Sequence, residues 1–169
     1  MTVFLLSQIL AGIAFVCGLA SFQFKSRRSV LLCLTLLTTF NASHFFLLGS
    51  IGPASLTMLT GIRYVTAVFT RNRKVMVLFL LLSVGVFWMT FQNPLSFLAL
   101  TGVVLGTYGS FQPSDRTLRL FLMLGNACWL VHNILAGTPV ATVMEASFLA
   151  SNIAGYWRFY RASRGPARS

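Results

Sequence analysis

Long apolar runs, separated by short polar or basic segments, dominate the pattern of the chain. Each run contains roughly 17–22 residues, enough for a helix to cross a hydrocarbon core about 30 Å thick. The pattern therefore predicts an all-α integral membrane protein with seven transmembrane helices. The predicted helices cover residues 3–24, 30–49, 52–70, 75–91, 94–111, 117–136 and 139–160.

The joints between several runs are very short and carry helix-ending residues. In "GSIGP", "QNP" and "AGTP", a Gly or Asn precedes a Pro that can begin the next helix. Because such joints leave no room for a long connection, neighbouring helices are predicted to run antiparallel.

The composition agrees with a membrane protein. Hydrophobic residues make up 56% of the chain and charged residues 9%, whereas a soluble domain carries about 25% charged residues. The net charge of +11 resides in short clusters between the apolar runs rather than in a stripe along a soluble face. This distribution argues against nucleic-acid binding.

The basic residues also predict an orientation. With seven spans, twelve of the thirteen lie in alternate joints or in the C-terminal segment, and the opposite joints carry none. The positive-inside rule then places the N-terminus outside and the C-terminus in the cytoplasm. The first run has its basic residues after it, which predicts a retained helix rather than a cleaved signal peptide.

Two short words recur and predict an internal repeat. "SFQ" ends the first predicted helix at 21–23 and the fifth at 110–112, and Asn41-Ala42 can be matched with Asn126-Ala127. A duplicated three-helix unit joined by one further helix would give two parallel bundles, a 3+1+3 architecture. The predicted parts are a first bundle at 1–74, a linker helix at 75–91, a second bundle at 92–161 and a basic tail at 162–169.

This arrangement resembles the SWEET sugar transporters and the wider PQ-loop superfamily. The "SFQ" and "NA" words and the compact size more closely resemble the YgjV-type bacterial inner-membrane proteins, over about residues 1–161. The Pro-Gln pair of the PQ-loop proteins is replaced here by Phe22-Gln23 and Phe111-Gln112. The resemblance implies a small-solute transporter, with a sugar-like solute as one option.

Polar residues on the apolar runs predict where a cavity lies, because a polar side chain in lipid must face a partner or a cavity. They share faces on the second, sixth and seventh predicted helices and suggest a cavity lined by helices 2, 3, 6 and 7. The candidate pocket residues are Asn41, His44, Arg63, Asn126, Trp129, Asn133, Glu145 and Asn152, and Gln23 and Gln112 mark the repeat.

Several candidates keep two interpretations. Asn41 and Asn126 either line the pocket or hydrogen-bond helix to helix. The resemblance to sugar transporters implies a pocket role for Trp129 and places Glu145 where the relatives carry Asn. Arg63 either pairs with Glu145, which lies about 9 Å away in depth, or extends toward the cytoplasmic surface.

Two functions remain open: a transporter with alternating access at a midplane pocket, and a non-transporting structural or regulatory membrane protein. No enzyme is expected, because the sequence has no acidic pair and no nucleophile with a base. The histidines lack metal spacing, so neither a metal nor a cofactor is expected. The GxxxG of Gly102 and Gly106 either packs helices within the chain or supports a homodimer.

Overall fold

The computed structural model describes residues 2–91 and 93–160, and the regular structure in these ranges is entirely α-helical. Seven helices occur there, as predicted, and all of their bounds lie within three residues of the expected ones. They are α1 (Val3–Ser21), α2 (Arg27–Leu47), α3 (Ile51–Phe69), α4 (Arg73–Thr90), α5 (Ser96–Ser110), α6 (Asp115–Leu135) and α7 (Pro139–Tyr160).

The helices α2, α4 and α6 begin two or three residues before their predicted starts, inside the polar segments. Side chains just before two of them explain the early starts. Asn72 Oδ1 accepts a hydrogen bond from the Lys74 amide at 2.8 Å, and the Ser114 hydroxyl accepts from the Thr117 amide at 3.3 Å. Such caps satisfy amides that the first helical turn leaves open. Hydropathy marks where a helix enters lipid, not where it begins.

Four helices in the described ranges, α1, α2, α4 and α6, are long and apolar enough to cross a membrane. The helix α5 is apolar but has only 15 residues. The helices α3 and α7 are not among the four, and they carry Arg63 and Glu145 together with several Thr and Ser residues. The protein is therefore a multi-pass membrane protein, and crossing by the other three helices stays a prediction.

The chain divides into two compact units between Thr70 and Arg71. Unit 1 contains α1–α3, and unit 2 contains α4–α7. In unit 1, the middle helix α2 packs against both α1 and α3. In unit 2, α6 packs in the same way against α5 and α7, and α4 packs against α5. The α4–α5 contact includes the Phe87 and Phe97 rings, whose centroids lie 5.0 Å apart.

The middle helices of the two units have matching ends. Both contain 21 residues and follow a serine, Ser26 or Ser114. Both are followed by a glycine in the left-handed region, Gly49 with φ of 72° and Gly137 with φ of 68°. A side chain would be strained at that φ, so glycine closes the helix without steric penalty. Each of these pairs is separated by 88 residues.

The backbone hydrogen bonds at the two C-termini follow the same spacing of 88 residues. The Leu48 amide donates to the His44 carbonyl, and the Ala136 amide donates to the His132 carbonyl. Counted from these helix ends, His44 is matched with His132, whereas matching Asn41 with Asn126 places His44 opposite Trp129. The two pairings differ because one follows the helix ends and the other follows identical residues.

The helix ends also give a different pairing for the asparagines. Asn41 and Asn126 are 85 residues apart, so the helix ends do not place them at equivalent positions. At a separation of 88, the counterpart of Asn126 is Thr38, and the counterpart of Asn41 is Trp129.

The "SFQ" words end helices in both units. The hydroxyls of Ser21 and Ser110 are buried and donate back to carbonyls of their own helices at 2.7 and 2.6 Å. The aromatic residues that follow, Phe22 and Phe111, are the C-caps of α1 and α5 and are also buried. The repeated word thus closes a helix and anchors its end with a buried ring.

Candidate functional site

The eight predicted pocket residues divide between the two units, and each unit is described by itself. Unit 1 carries three of them, on α2 and α3. Unit 2 carries the other five, on α6 and α7: Asn126, Trp129, Asn133, Glu145 and Asn152.

His44 in unit 1 connects two helices. Its Nδ1 lies 2.8 Å from the carbonyl oxygen of Ser7, a fully buried residue of α1. The contact fixes the imidazole between α2 and α1, which favours a packing role. Asn41, almost one turn earlier on α2, is partly buried.

Two arginines of unit 1 are buried. Arg63 is 4% exposed, and its guanidinium carbon lies 4.7 Å from the centroid of the Tyr64 ring. Its pairing with Glu145 of unit 2 stays a prediction. Arg27 is 5% exposed and donates from Nη2 to the Ala67 carbonyl at 2.7 Å. Arg27 was expected only as an orientation signal, but it also joins the start of α2 to the end of α3.

Unit 2 contains a polar contact that sequence reasoning missed. Arg119 of α6 and Asn152 of α7 are both fully buried. Arg119 Nη1 donates to Asn152 Oδ1 at 3.4 Å, and Asn152 Nδ2 donates to the Arg119 carbonyl at 3.2 Å. The guanidinium carbon also lies 5.2 Å from the Phe159 ring centroid. These bonds hold α6 to α7 and favour a packing role for Asn152 over the predicted pocket role.

Trp129 lies over a close approach of α5 and α6. A Cβ atom placed on Gly102 would be 2.8 Å from Trp129 Cδ1 and 3.2 Å from the Gly125 carbonyl oxygen. Gly102 and Gly106 are both buried in unit 2. The GxxxG therefore packs helices within the chain, and the indole covers that contact.

Asn126 and Glu145 each hold a buried polar atom without a hydrogen-bond partner in the described part of the chain. The atoms are Asn126 Nδ2 and Glu145 Oε2. Counting 1.5 Å per residue, Glu145 lies about 9 Å from the start of α7, and Asn126 lies about 14 Å from the end of α6. Both are therefore well inside packed, antiparallel helices. A buried polar atom without a partner is costly and is usually satisfied by water or by a ligand.

Asn133 occupies a different place, at the turn between α6 and α7. It borders a surface cavity of about 350 Å³, which is also lined by Ile134, Gly137, Thr138, Pro139 and Thr142. The hydroxyls there are used locally: Thr138 donates to the Asn133 carbonyl at 3.1 Å, and Thr142 donates to the Thr138 carbonyl at 2.9 Å. This cavity lies at the helix ends, away from the depth of Asn126.

The two repeat-motif glutamines lie at helix ends. The Gln23 side chain is exposed, and the Gln112 side chain is partly buried and donates from Nε2 to the Tyr108 carbonyl at 3.2 Å. Their backbone amides donate to carbonyls three residues earlier, at 2.9 and 3.1 Å. These contacts lie at the ends of α1 and α5, and they favour a structural role for the two glutamines.

Residues 2–91 and 93–160 contain no group of three or more His, Cys, Asp or Glu side chains that could hold a metal ion. Cys17, Cys33 and Cys128 are free thiols and partly buried. The polar groups described above are an amide, a carboxyl group and buried arginines.

Comparison with known proteins identifies the family. A family model named Imp-YgjV, described as a bacterial inner membrane protein, matches residues 5–163. The chain belongs to the YgjV family of bacterial inner membrane proteins. A curated relative, inner membrane protein YgjV of Escherichia coli (strain K12), is 30% identical over 164 residues, which cover 97% of this chain and 90% of the relative. No solved structure matches the chain.

Membership of the YgjV family confirms two expectations. It confirms the resemblance carried by the "SFQ" and "NA" words, and it places the protein in the bacterial inner membrane. The family description names a location and no activity, so the function has to be argued from the site.

Proposed function

We propose that this YgjV-family protein is a small-solute transporter with alternating access at a pocket near the bilayer midplane. The observation that carries the proposal is the pair of buried atoms Asn126 Nδ2 and Glu145 Oε2, which lack partners in the described residues. Ionisable groups at such depth are expensive and are functional by default. A polar solute would supply the missing partners.

The chemistry of the two groups favours a neutral, hydroxyl-bearing solute. An amide NH₂ donates hydrogen bonds, and a carboxyl oxygen accepts them. Hydroxyl groups of a solute can accept from Asn126 and donate to Glu145. A sugar or another polyol has this pattern, which agrees with the resemblance to sugar transporters.

The organisation of the helices supports the mechanism. In each unit the middle helix packs against both neighbours, and the ends of α2 and α6 share a register of 88 residues. We take these similarities as support for a 3+1+3 repeat with a periplasmic N-terminus, in which all seven helices cross the bilayer. In transporters built from repeats, alternating access arises from movement of one repeat against the other.

The test is solute uptake by the purified full chain in proteoliposomes. The panel contains radiolabelled sugars, other polyols, amino acids and nucleobases, with empty liposomes as background. We expect uptake of at least one hydroxylated neutral solute. Glu145→Gln should reduce this uptake by about tenfold or more, because the amide has one acceptor oxygen where the carboxyl group has two.

The matched control is Thr57→Val in α3, the position 88 residues before Glu145. It removes a polar group at the corresponding depth of unit 1 and should leave uptake within about twofold. If no solute in the panel crosses the membrane, and Glu145→Gln changes no ligand-induced stabilisation, the non-transporting structural or regulatory function is favoured instead.

A further inference from the structure

We propose that unit 2 binds the headgroup of one anionic phospholipid at the end where α6 begins and α7 ends. The phosphate ligands are the exposed arginines Arg116 and Arg158. This site lies at the opposite end of α6 from the 350 Å³ cavity, and it does not depend on transport.

Arg116 is held in an orientation suited to phosphate. It is the second residue of α6, and its Nε donates to the Tyr156 hydroxyl at 2.8 Å. Its guanidinium carbon lies 5.7 Å from the Tyr156 ring centroid. Within the described residues, the two terminal nitrogens make no side-chain hydrogen bond, so they can present a planar fork to a phosphate.

Charge is concentrated around this end of unit 2. Arg158 and Arg119 both approach the Phe159 ring, with guanidinium carbons 4.6 and 5.2 Å from its centroid. With Arg116, three arginines surround the start of α6 and the end of α7. Asp115, in the first turn of α6, is the one acidic residue that the structure describes at this end. The local excess of positive charge favours a phosphate anion.

The position of the site along α6 favours a lipid as the bound molecule. The helix α6 is one of the four described helices able to cross the membrane, and Arg116 lies at its first turn. Arg116 is therefore placed near the headgroups in either orientation of the chain. Trp157 is 53% exposed in the adjacent last turn of α7. Amphipathic aromatic residues such as Trp and Tyr concentrate at the membrane–water interface.

Unit 1 offers a natural comparison. Arg28, the second residue of α2, is exposed and lies 88 residues before Arg116. The position that corresponds to Tyr156 is Val68, which has no hydroxyl to hold a guanidinium. Unit 1 thus has an exposed arginine at the matching position but no tyrosine hydroxyl to orient its guanidinium. Arg28→Gln is therefore a matched control.

The experiment is native mass spectrometry of the full chain in detergent with added phosphatidylglycerol or phosphatidylcholine. We expect one phosphatidylglycerol to bind in preference to phosphatidylcholine. Arg116→Gln should weaken this first binding step about fivefold, as expected for loss of one arginine at a lipid headgroup. Tyr156→Phe should weaken it about twofold, because the guanidinium loses its hydroxyl acceptor. Arg28→Gln should leave it unchanged.

Three results would overturn the proposal. Equal weakening by Arg28→Gln and Arg116→Gln would mean diffuse attraction by surface charge. Equal binding of both lipids would mean an apolar contact. Displacement of the bound lipid by millimolar inorganic phosphate would mean a site for the free anion. Melting temperatures of the variants, measured in the same detergent, show that each is folded, and Tyr156→Phe tests the geometry while retaining every charge.

Discussion

At a separation of 88 residues, α2 and α6 begin and end at matching positions and α3 and α7 begin at matching positions. The polar residues inside these helices differ. Where unit 2 has Asn126 and Glu145, unit 1 has Thr38 and Thr57. The Thr38 hydroxyl donates to carbonyls of its own helix at 3.0 and 2.9 Å. Asn126 Nδ2 and Glu145 Oε2 have no such partners within residues 2–91 and 93–160.

The two units share features at their helix ends and differ in the polar residues between those ends. Serines before the middle helices, glycines after them and the buried Ser-Phe pairs of the "SFQ" words are common to both units. The internal polar groups of unit 1 that contact neighbouring helices, at His44 and Arg27, bind backbone carbonyls. Unit 2 has a comparable contact at Arg119, and it also holds Asn126 Nδ2 and Glu145 Oε2, which have no hydrogen-bond partner in the described residues. We therefore expect solute recognition to depend mainly on unit 2.

The largest effect on stability is expected from Asn152→Leu. The substitution removes the acceptor at 3.4 Å from the fully buried guanidinium of Arg119. Breaking a buried polar contact on one side typically costs about 3 kcal/mol. The measurement is thermal unfolding in detergent followed by tryptophan fluorescence.

The control for this prediction is Asn41→Leu, at a partly buried asparagine of unit 1. Its cost should stay below about 1 kcal/mol. Equal destabilisation by the two variants would contradict a special role for the Arg119–Asn152 contact.

A smaller effect is expected from Gly102→Ala. The new Cβ would lie 2.8 Å from Trp129 Cδ1 and 3.2 Å from the Gly125 carbonyl oxygen, so α5 and α6 must separate slightly. Such overpacking costs about 1–3 kcal/mol. Gly12→Ala in α1 meets no atom within 4 Å and should stabilise its helix by up to about 1 kcal/mol. Melting curves that show no loss for Gly102→Ala would argue against the close approach.

The smallest effect on stability is expected at the two histidines that lie 88 residues apart, His44 and His132. His44→Leu should cost about 1 kcal/mol, because it removes the contact to the Ser7 carbonyl between α2 and α1. His132 Nδ1 instead lies 3.4 Å from the side-chain oxygen of Asn133, its neighbour on the same helix. His132→Leu should therefore change the unfolding free energy by less than about 0.5 kcal/mol. A larger loss of stability for His132→Leu than for His44→Leu would contradict this difference between the two histidines.

The sequence predicts the helices well and the contacts between them poorly. Apolar runs and Gly-Pro joints predict all seven helices, because burial in lipid and helix termination are local properties. The matching of the helix ends is not visible in the sequence words, since the ends of α2 and α6 are 88 residues apart and the identical Asn41 and Asn126 are 85 residues apart. Counting basic residues by joint hides the fact that Arg27 and Arg119 are buried. Whether a charged side chain is buried depends on the neighbouring helix. The hydropathy pattern of one helix alone gives no information about that neighbour.

The proposed function requires the polar groups of unit 2 to face a water-filled pocket. To test it, Glu145→Cys and Val131→Cys are made separately in a chain whose three native cysteines are replaced by alanine, and an impermeant thiol reagent is added. Val131 is 45% exposed on α6 and should face lipid. Because a thiol reacts as the thiolate, which forms in water, the thiol introduced at position 145 should react at least about tenfold faster than the one at position 131. Equal rates at the two positions would contradict a water-filled solute pocket in unit 2.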